Sequence, residues 1–195
     1  RKDNNRYLIR VMRHNIDDYI NEYNHWTKKY NGVPHPEMYK IDNNDFVLWL
    51  GICAEKRPWI EQKEAIIEII KEFKVLKPNL CVVLDGLTRS SYESREDFIV
   101  NSGEIDYAFA QEIKSIFVDT KMINSVGFSS GEKMHLADRV NFFITNYLTD
   151  SMYVSRFSQA FGVGYGAKVS HPREHFHPNT MILPSVYVED IVGKS

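Results

Sequence analysis

Cysteine is nearly absent from this chain: 195 residues carry two, Cys53 and Cys81. Both sit inside apolar runs, so the sequence predicts buried free thiols of a reducing compartment rather than a disulfide framework, and a cytoplasmic setting follows. Long hydrophobic runs are missing as well. No stretch approaches the ~20 uninterrupted apolar residues of a membrane-spanning helix and no signal-peptide pattern opens the chain, so no membrane span is expected. Neither charge is in excess. Twenty-four Lys and Arg oppose 26 Asp and Glu, and the net charge of −2 offers no general attraction to nucleic acid or anionic lipid. Any anion site must be local. The phosphate loop G-x-x-x-x-G-K-[ST] and the dinucleotide turn G-x-G-x-x-G are both absent.

What is present suits one globular domain. With 43% hydrophobic residues the chain is long enough to withdraw ~70% of its unfolded surface from water. It opens on Arg rather than Met, which reads as a piece of a longer protein. Residues 15–30 place Ile16, Tyr19, Ile20, Tyr23, Trp26 and Tyr30 three or four apart, behind Asn15 as N-cap and with Asp17 and Asp18 in the first turn. That spacing predicts an amphipathic helix. The Gly-, Pro- and Asn-rich stretch 31–45 then reads as a linker or crossing loop, so 1–45 forms an N-terminal helical segment and 46–195 the domain proper.

From residue 46 apolar runs alternate with helical stripes. "FVLWLGIC" (46–53) and "LCVVLD" (80–85) are continuous enough for strands covered on both faces. Helices are expected from about Trp59 to Lys74, along Ile105, Ala108, Phe109, Ile113 and Ile116, over 129–140 with Ser129 or Ser130 as cap, and from about Thr149 to Phe161. "SIFVD" (115–119), "NFFIT" (141–145) and "GYGAKVS" (164–170) complete the strands, and "GVGYG" (162–166) reads as a helix-to-strand turn. Alternation of this kind predicts an α/β fold, a Rossmann-like parallel sheet covered by helices, because parallel neighbours need crossovers. Ligands of such sheets gather beyond the carboxyl ends of the strands.

Those ends present a short set of candidates. After the first strand stand Lys56 and Arg57, with Pro58 near the first helical position. They are either solvated loop charges or cations for an anion, with Arg able to grip phosphate in a bidentate fork. Asp85 and Gly86 end the second strand: the carboxylate would accept from a sugar hydroxyl or cap local backbone, and glycine permits a sharp exit. Arg89 and Arg95 follow in a polar, mobile loop. Asn146, Thr149, Asp150 and Ser151 are more small polar residues than a cap requires, and amides at a helix start would cradle an anion. Arg156 reads as a solvated or salt-bridging side chain. His171, His175 and His177 lie close together in "SHPREHFHPN" (170–179), but two prolines interrupt them and no carboxylate or cysteine set completes a metal site. No metal is expected, and His171 is read as a ligand contact or an acid or base. Hydrolysis by a Ser-His-Asp triad finds no specific support.

Residues 46–170 resemble the carboxyl-terminal, nucleotide-sugar-binding half of glycosyltransferases with the GT-B fold. "LWLGICAEKRPWIEQ", "VVLDG" and "LADRVNFFITNYLTDSMYVSRFSQAFGV" carry the likeness. The resemblance implies Lys56 and Arg57 as donor-phosphate contacts, Thr149 and Ser151 as a cradle at the helix start, and Asp85 as a contact to sugar or ribose. It implies a nucleotide sugar as donor substrate with no further cofactor, and a carbohydrate or glycoconjugate acceptor. Such enzymes work in a cleft between two Rossmann-like domains and this chain has room for one, so a second domain of a longer protein is expected. The competing reading is a non-catalytic Rossmann-like module that binds protein or carbohydrate, with the aromatic stripe of 15–30 as an interface or packed on its own sheet.

Overall fold

A computed structural model of the chain describes residues 34–54, 61–146, 151–166 and 180–184. Six strands, β1 Phe46–Gly51, β2 Leu80–Asp85, β3 Lys121–Asn124, β4 Phe142–Asn146, β5 Phe161–Gly166 and β6 Met181–Pro184, form one sheet in the order β3-β2-β1-β4-β5-β6. Every neighbouring pair is parallel. The continuous apolar runs explain why: β2 is buried at all six of its positions, as a strand with cover on both faces must be. The helices are α1 Gln62–Leu76, α2 Arg95–Phe98, α3 Glu104–Ile116 and α4 Ser130–Ala137, with a π-helical turn at Ile99–Gly103 joining α2 to α3.

The sheet divides the core in two. On one face Leu48, Leu50, Val82, Leu84 and Met122 pack under Ile66 and Ile70 of α1 and Ala110 and Ile113 of α3. On the other, Val47, Trp49, Val83, Ile123 and Phe143 pack under Leu136 and Ala137 of α4, with Phe128, Val154 and Ile41. Cover changes face where strand order reverses, as right-handed crossovers require. One quarter differs: on the α1 side of β5 and β6, Phe161, Met181 and Leu183 are 70%, 61% and 50% exposed. Among the described residues no helix long and apolar enough to cross a membrane is found.

The structure corrects several expectations. "SIFVD" is not the third strand: Ser115 and Ile116 finish α3, Val118 is exposed, and the strand is Lys121–Asn124, with Met122 and Ile123 buried. Tertiary burial overrides the β-propensity of the earlier run. The helix expected from about Thr149 to Phe161 ends early: among the described residues helical backbone covers 151–157, most of it the π-helical turn Tyr153–Phe157. Ser158 closes that turn on the Tyr153 carbonyl, and Gln159, at φ 53°, turns the chain out. Phe161–Gly166 is then strand rather than helix end and turn, and β6 is an addition. The helix expected at 15–30 lies outside the described residues.

Candidate functional site

The site is set by strand order. β1 pairs with β2 on one side and with β4 on the other, so strand order reverses between β1 and β4, and sheets of this kind hold ligands beyond the carboxyl ends of the strands at such a reversal. The two strands meet closely there. A Cβ on Gly51 would stand 2.4 Å from Thr145 Oγ1, so only glycine lets β1 end beside β4. Residues 55–60, which follow β1, and 147–150, which follow β4, lie outside the described residues. Lys56, Arg57, Thr149 and Asp150 belong to these two segments, and His171 is outside as well.

Beside the end of β1 lies a buried ion pair. Asp85 ends β2 with its side chain on the α4 face, where Lys133 Nζ stands 2.7 Å from Asp85 Oδ1 and donates to the Gly86 carbonyl at 2.6 Å. Ser125 Oγ donates to the same carboxylate oxygen at 2.7 Å. Both charged side chains are buried, Lys133 at 0% and Asp85 at 2% exposure. Such a pair survives burial because each charge has a partner and hydrogen bonds besides. The Asp85 carboxylate therefore braces the floor of the strand ends. Sequence reasoning missed Lys133, although a signal exists: it shares a helical face with Leu136 and Ala137.

Two more buried polar groups hold the chain leaving β1. Asp106, in the first turn of α3, is 2% exposed and its Oδ1 accepts the Ala54 backbone N–H at 2.8 Å. Gln62, the first residue of α1, is 3% exposed and accepts the Cys53 N–H at 3.3 Å. Its carboxamide faces the Tyr165 phenol of β5, which burial pushes up to about 12 against the opposing pull of Gln62. Asn146, half-buried, pairs in register with Tyr165. Asp106 also carried a signal: the buried stripe of α3 is Asp106, Ala110 and Ile113, whereas Ile105 and Ile116, expected in the stripe, are exposed.

The loop after β2 is ordered by its arginines and is not a solvated excursion. Arg95 donates to the carbonyls of Asn124 at 2.6 Å and Val126 at 2.9 Å and lies over the Phe128 ring. Arg89 pairs with Glu132 at 3.1 Å. Arg156, read as solvated or salt-bridging, is 3% exposed, which excludes the solvated alternative. The run Gly127-Phe128-Ser129-Ser130-Gly131 has the G-x-S-x-G spacing of a nucleophile elbow, a motif expected to be absent from this sequence. The structure makes Ser129 the N-cap of α4, its hydroxyl donating to Glu132 Oε2 at 2.9 Å.

Of the residues nominated from sequence, the structure places Asp85 and Gly86 at the end of β2, Asn146 at the end of β4, and Ser151, fully buried, in the helical backbone of 151–157. Asp85 and Asn146 point to opposite faces, two strands apart. Cys53 and Cys81 are buried and free, and burial pushes the Cys81 thiol up to about 12. Among the described residues no group of His, Cys, Asp and Glu is arranged to hold a metal. A groove at the amino ends of β1, β2 and β3 is lined by Asp42, Asp45, Asp119 and Lys121, and its charges are paired, Lys121 with Asp42 and Asp45 at 2.6 Å each and Asp119 with Lys74 at 2.8 Å.

No family model and no curated protein sequence matches this chain. Solved structures do. The glycosyl transferase family 9 from Veillonella parvula DSM 2008 aligns with a TM-score of 0.51 at 15% identity, over 83% of this chain and 40% of that one. E. coli heptosyltransferase WaaC with ADP-2-deoxy-2-fluoro heptose aligns at 0.46 and 8% identity, over 75% and 39%. E. coli ADP-heptose lps heptosyltransferase II aligns at 0.46 and 15% identity, over 78% and 44%. The chain spans about two fifths of the length of the solved chains it matches. The first likeness is one of fold, and at that level the resemblance to one half of a GT-B glycosyltransferase holds.

Proposed function

We propose that this chain is the donor-binding part of a glycosyltransferase that uses a nucleotide-activated sugar and stabilises the leaving phosphate without a divalent metal. The observation that carries this reading is the pairing of β1 with β4 at the point where strand order reverses, because the segments holding Lys56 and Arg57 and holding Thr149 and Asp150 leave those two neighbouring strands. As the bond between the sugar's anomeric carbon and the phosphate oxygen breaks, its electron pair stays on the diphosphate. Lys56, Arg57 and the Thr149 hydroxyl, with backbone amides near Ser151, would meet that charge in place, which lowers the barrier with little reorganisation. Asn146 and His171 would contact the donor at the rim, while Asp85 and Gly86 shape its floor. The acceptor, a carbohydrate or glycoconjugate, would be held by a second domain. That a solved chain of the same fold is a glycosyl transferase of family 9 supports the reading.

Isothermal titration of the chain with ADP, UDP and GDP tests it. Binding of at least one is expected, weakened roughly tenfold or more in Arg57→Ala, the order of a charge-assisted contact. If none of the three binds, the donor-site reading fails and a non-catalytic module remains.

A further inference from the structure

We infer that His35 is a pH-sensitive latch: its neutral ring fastens residues 34–41 to the sheet domain, and taking up a proton releases them. The inference is independent of the donor-site reading and rests on contacts among described residues alone. His35 stacks on Phe128, a buried member of the core on the α4 side, with ring centroids 3.9 Å apart at an interplanar angle of 29°. The same imidazole caps the 3-10 turn Pro36–Lys40, its Nδ1 accepting the Glu37 N–H at 3.2 Å. An accepting Nδ1 carries no hydrogen, so this cap exists only on a neutral ring. A proton there would turn the acceptor into a donor aimed at another donor. The stack resists the charge as well, because the Arg95 guanidinium already lies 4.7 Å from the centroid of the Phe128 ring.

Four charged groups face the ring, and each already has a partner. Arg95 and Arg89 oppose a charge on His35, and Glu132 and Glu37 favour it. Arg95 is held by the carbonyls of Asn124 and Val126. Glu132 pairs with Arg89 at 3.1 Å and accepts the Ser129 N–H at 2.7 Å, while Glu37 takes Lys40 at 2.6 Å. Neither carboxylate is therefore free to receive an imidazolium, and burial, then Arg95, hold the ring below the ordinary 6.5. Burial works to raise the Glu37 pKa, yet its bond to Lys40 leaves it lowered, so Glu37 stays ionised while His35 titrates. Release has a natural limit. Met38 and Ile41 pack against the α4-side core, Ile41 at 6% exposure, so the segment lifts from its His35 end while its far end stays seated. A ring that only covered Phe128 would need no bond to the Glu37 amide.

Nuclear magnetic resonance on the chain and on His35→Asn, followed from about pH 8 to about pH 5, tests this. The His35 ring protons, shifted upfield by the Phe128 ring at the high end, should titrate with a midpoint below 6.5 and lose most of that shift as they do. The Glu37 amide should move with the same midpoint, from a hydrogen-bonded to a solvent-exposed position, while amides of Val82 and Val83 in β2 stay where they are. Asparagine keeps an oxygen for the cap and takes up no proton, so in His35→Asn the Glu37 amide should hold its bonded position across the whole range. A midpoint at or above 6.5 overturns the inference, as does a ring that titrates without losing its upfield shift. A Glu37 amide that moves with pH in His35→Asn as it does in the unaltered chain overturns it too. Movement of Val82 and Val83 along with Glu37 would show general unfolding in place of a latch, and the inference would fall.

Discussion

Lys133 has an ammonium with no exposed surface, held between the Gly86 carbonyl and the Asp85 carboxylate, so either charge left alone would be a buried ion without its counterion. Lys133→Met should therefore destabilise the fold by about 3–5 kcal/mol in urea denaturation. In Lys133→Met with Asp85→Asn, where neither charge remains, more than half of that loss should return; no recovery would mean that the cost lies in packing rather than in the stranded carboxylate. His35 behaves differently because it titrates. Its ring stacks on Phe128 with centroids 3.9 Å apart, and burial, then the Arg95 guanidinium, hold its pKa below the ordinary 6.5 despite the opposing Glu132 and Glu37. A depressed histidine pKa means that below 6.5 the unfolded chain takes up the proton more readily than the folded one. Stability from this group is thus present above 6.5 and lost as pH falls through it. His35→Phe keeps a ring on Phe128 and removes the titration. Urea midpoints measured on both sides of pH 6.5 should show a flatter decline on the acid side in the variant; an identical slope would acquit His35.

The elements show where short-range signals suffice. α4 runs only from Ser130 to Ala137, too short to persist alone, and it is held at its start by a capping box in which Ser129 Oγ accepts from Glu132 N and the Glu132 carboxylate accepts from Ser129 N at 2.7 Å. Ser129→Ala should cost about 1 kcal/mol by urea denaturation. A larger loss is expected for Glu132→Ala, since the same carboxylate pairs with Arg89. Both cap residues are legible in the four letters "SSGE". The chain after β4 is the opposite case. Its apolar spacing suits a long helix, yet a π-helical turn and the left-handed backbone at Gln159 end it early, and Phe161–Gly166 pairs with β4 along its length. Pairing with a strand already in place outweighs the weak local preference of a glycine-rich run.

At the scale of the molecule, strand order is the deciding quantity. β4 is drawn to β1 rather than to β3, which precedes it in the chain, and that choice sets the carboxyl ends of two strands far apart in sequence side by side. The α1 side of β5 and β6 stays open among the described residues, so this part of the sheet is the least covered region of the described fold.

By itself, the sequence determined the class of fold, because continuous apolar runs, helical stripes and caps depend on residues near one another in the chain, and β1, β2, α1, α4 and β4 were legible for that reason. It also pointed to the strand ends as the place to look, since that follows from a parallel sheet alone. Only the tertiary structure decided which strand ends meet, that Asp85 and Lys133 form a buried pair, and that Asp106 reaches Ala54. Each of these depends on a contact between residues far apart in the chain, 94 positions from Leu48 to Phe142, 48 from Asp85 to Lys133 and 52 from Ala54 to Asp106, and such a contact is specified by the packing of whole elements rather than by any local pattern.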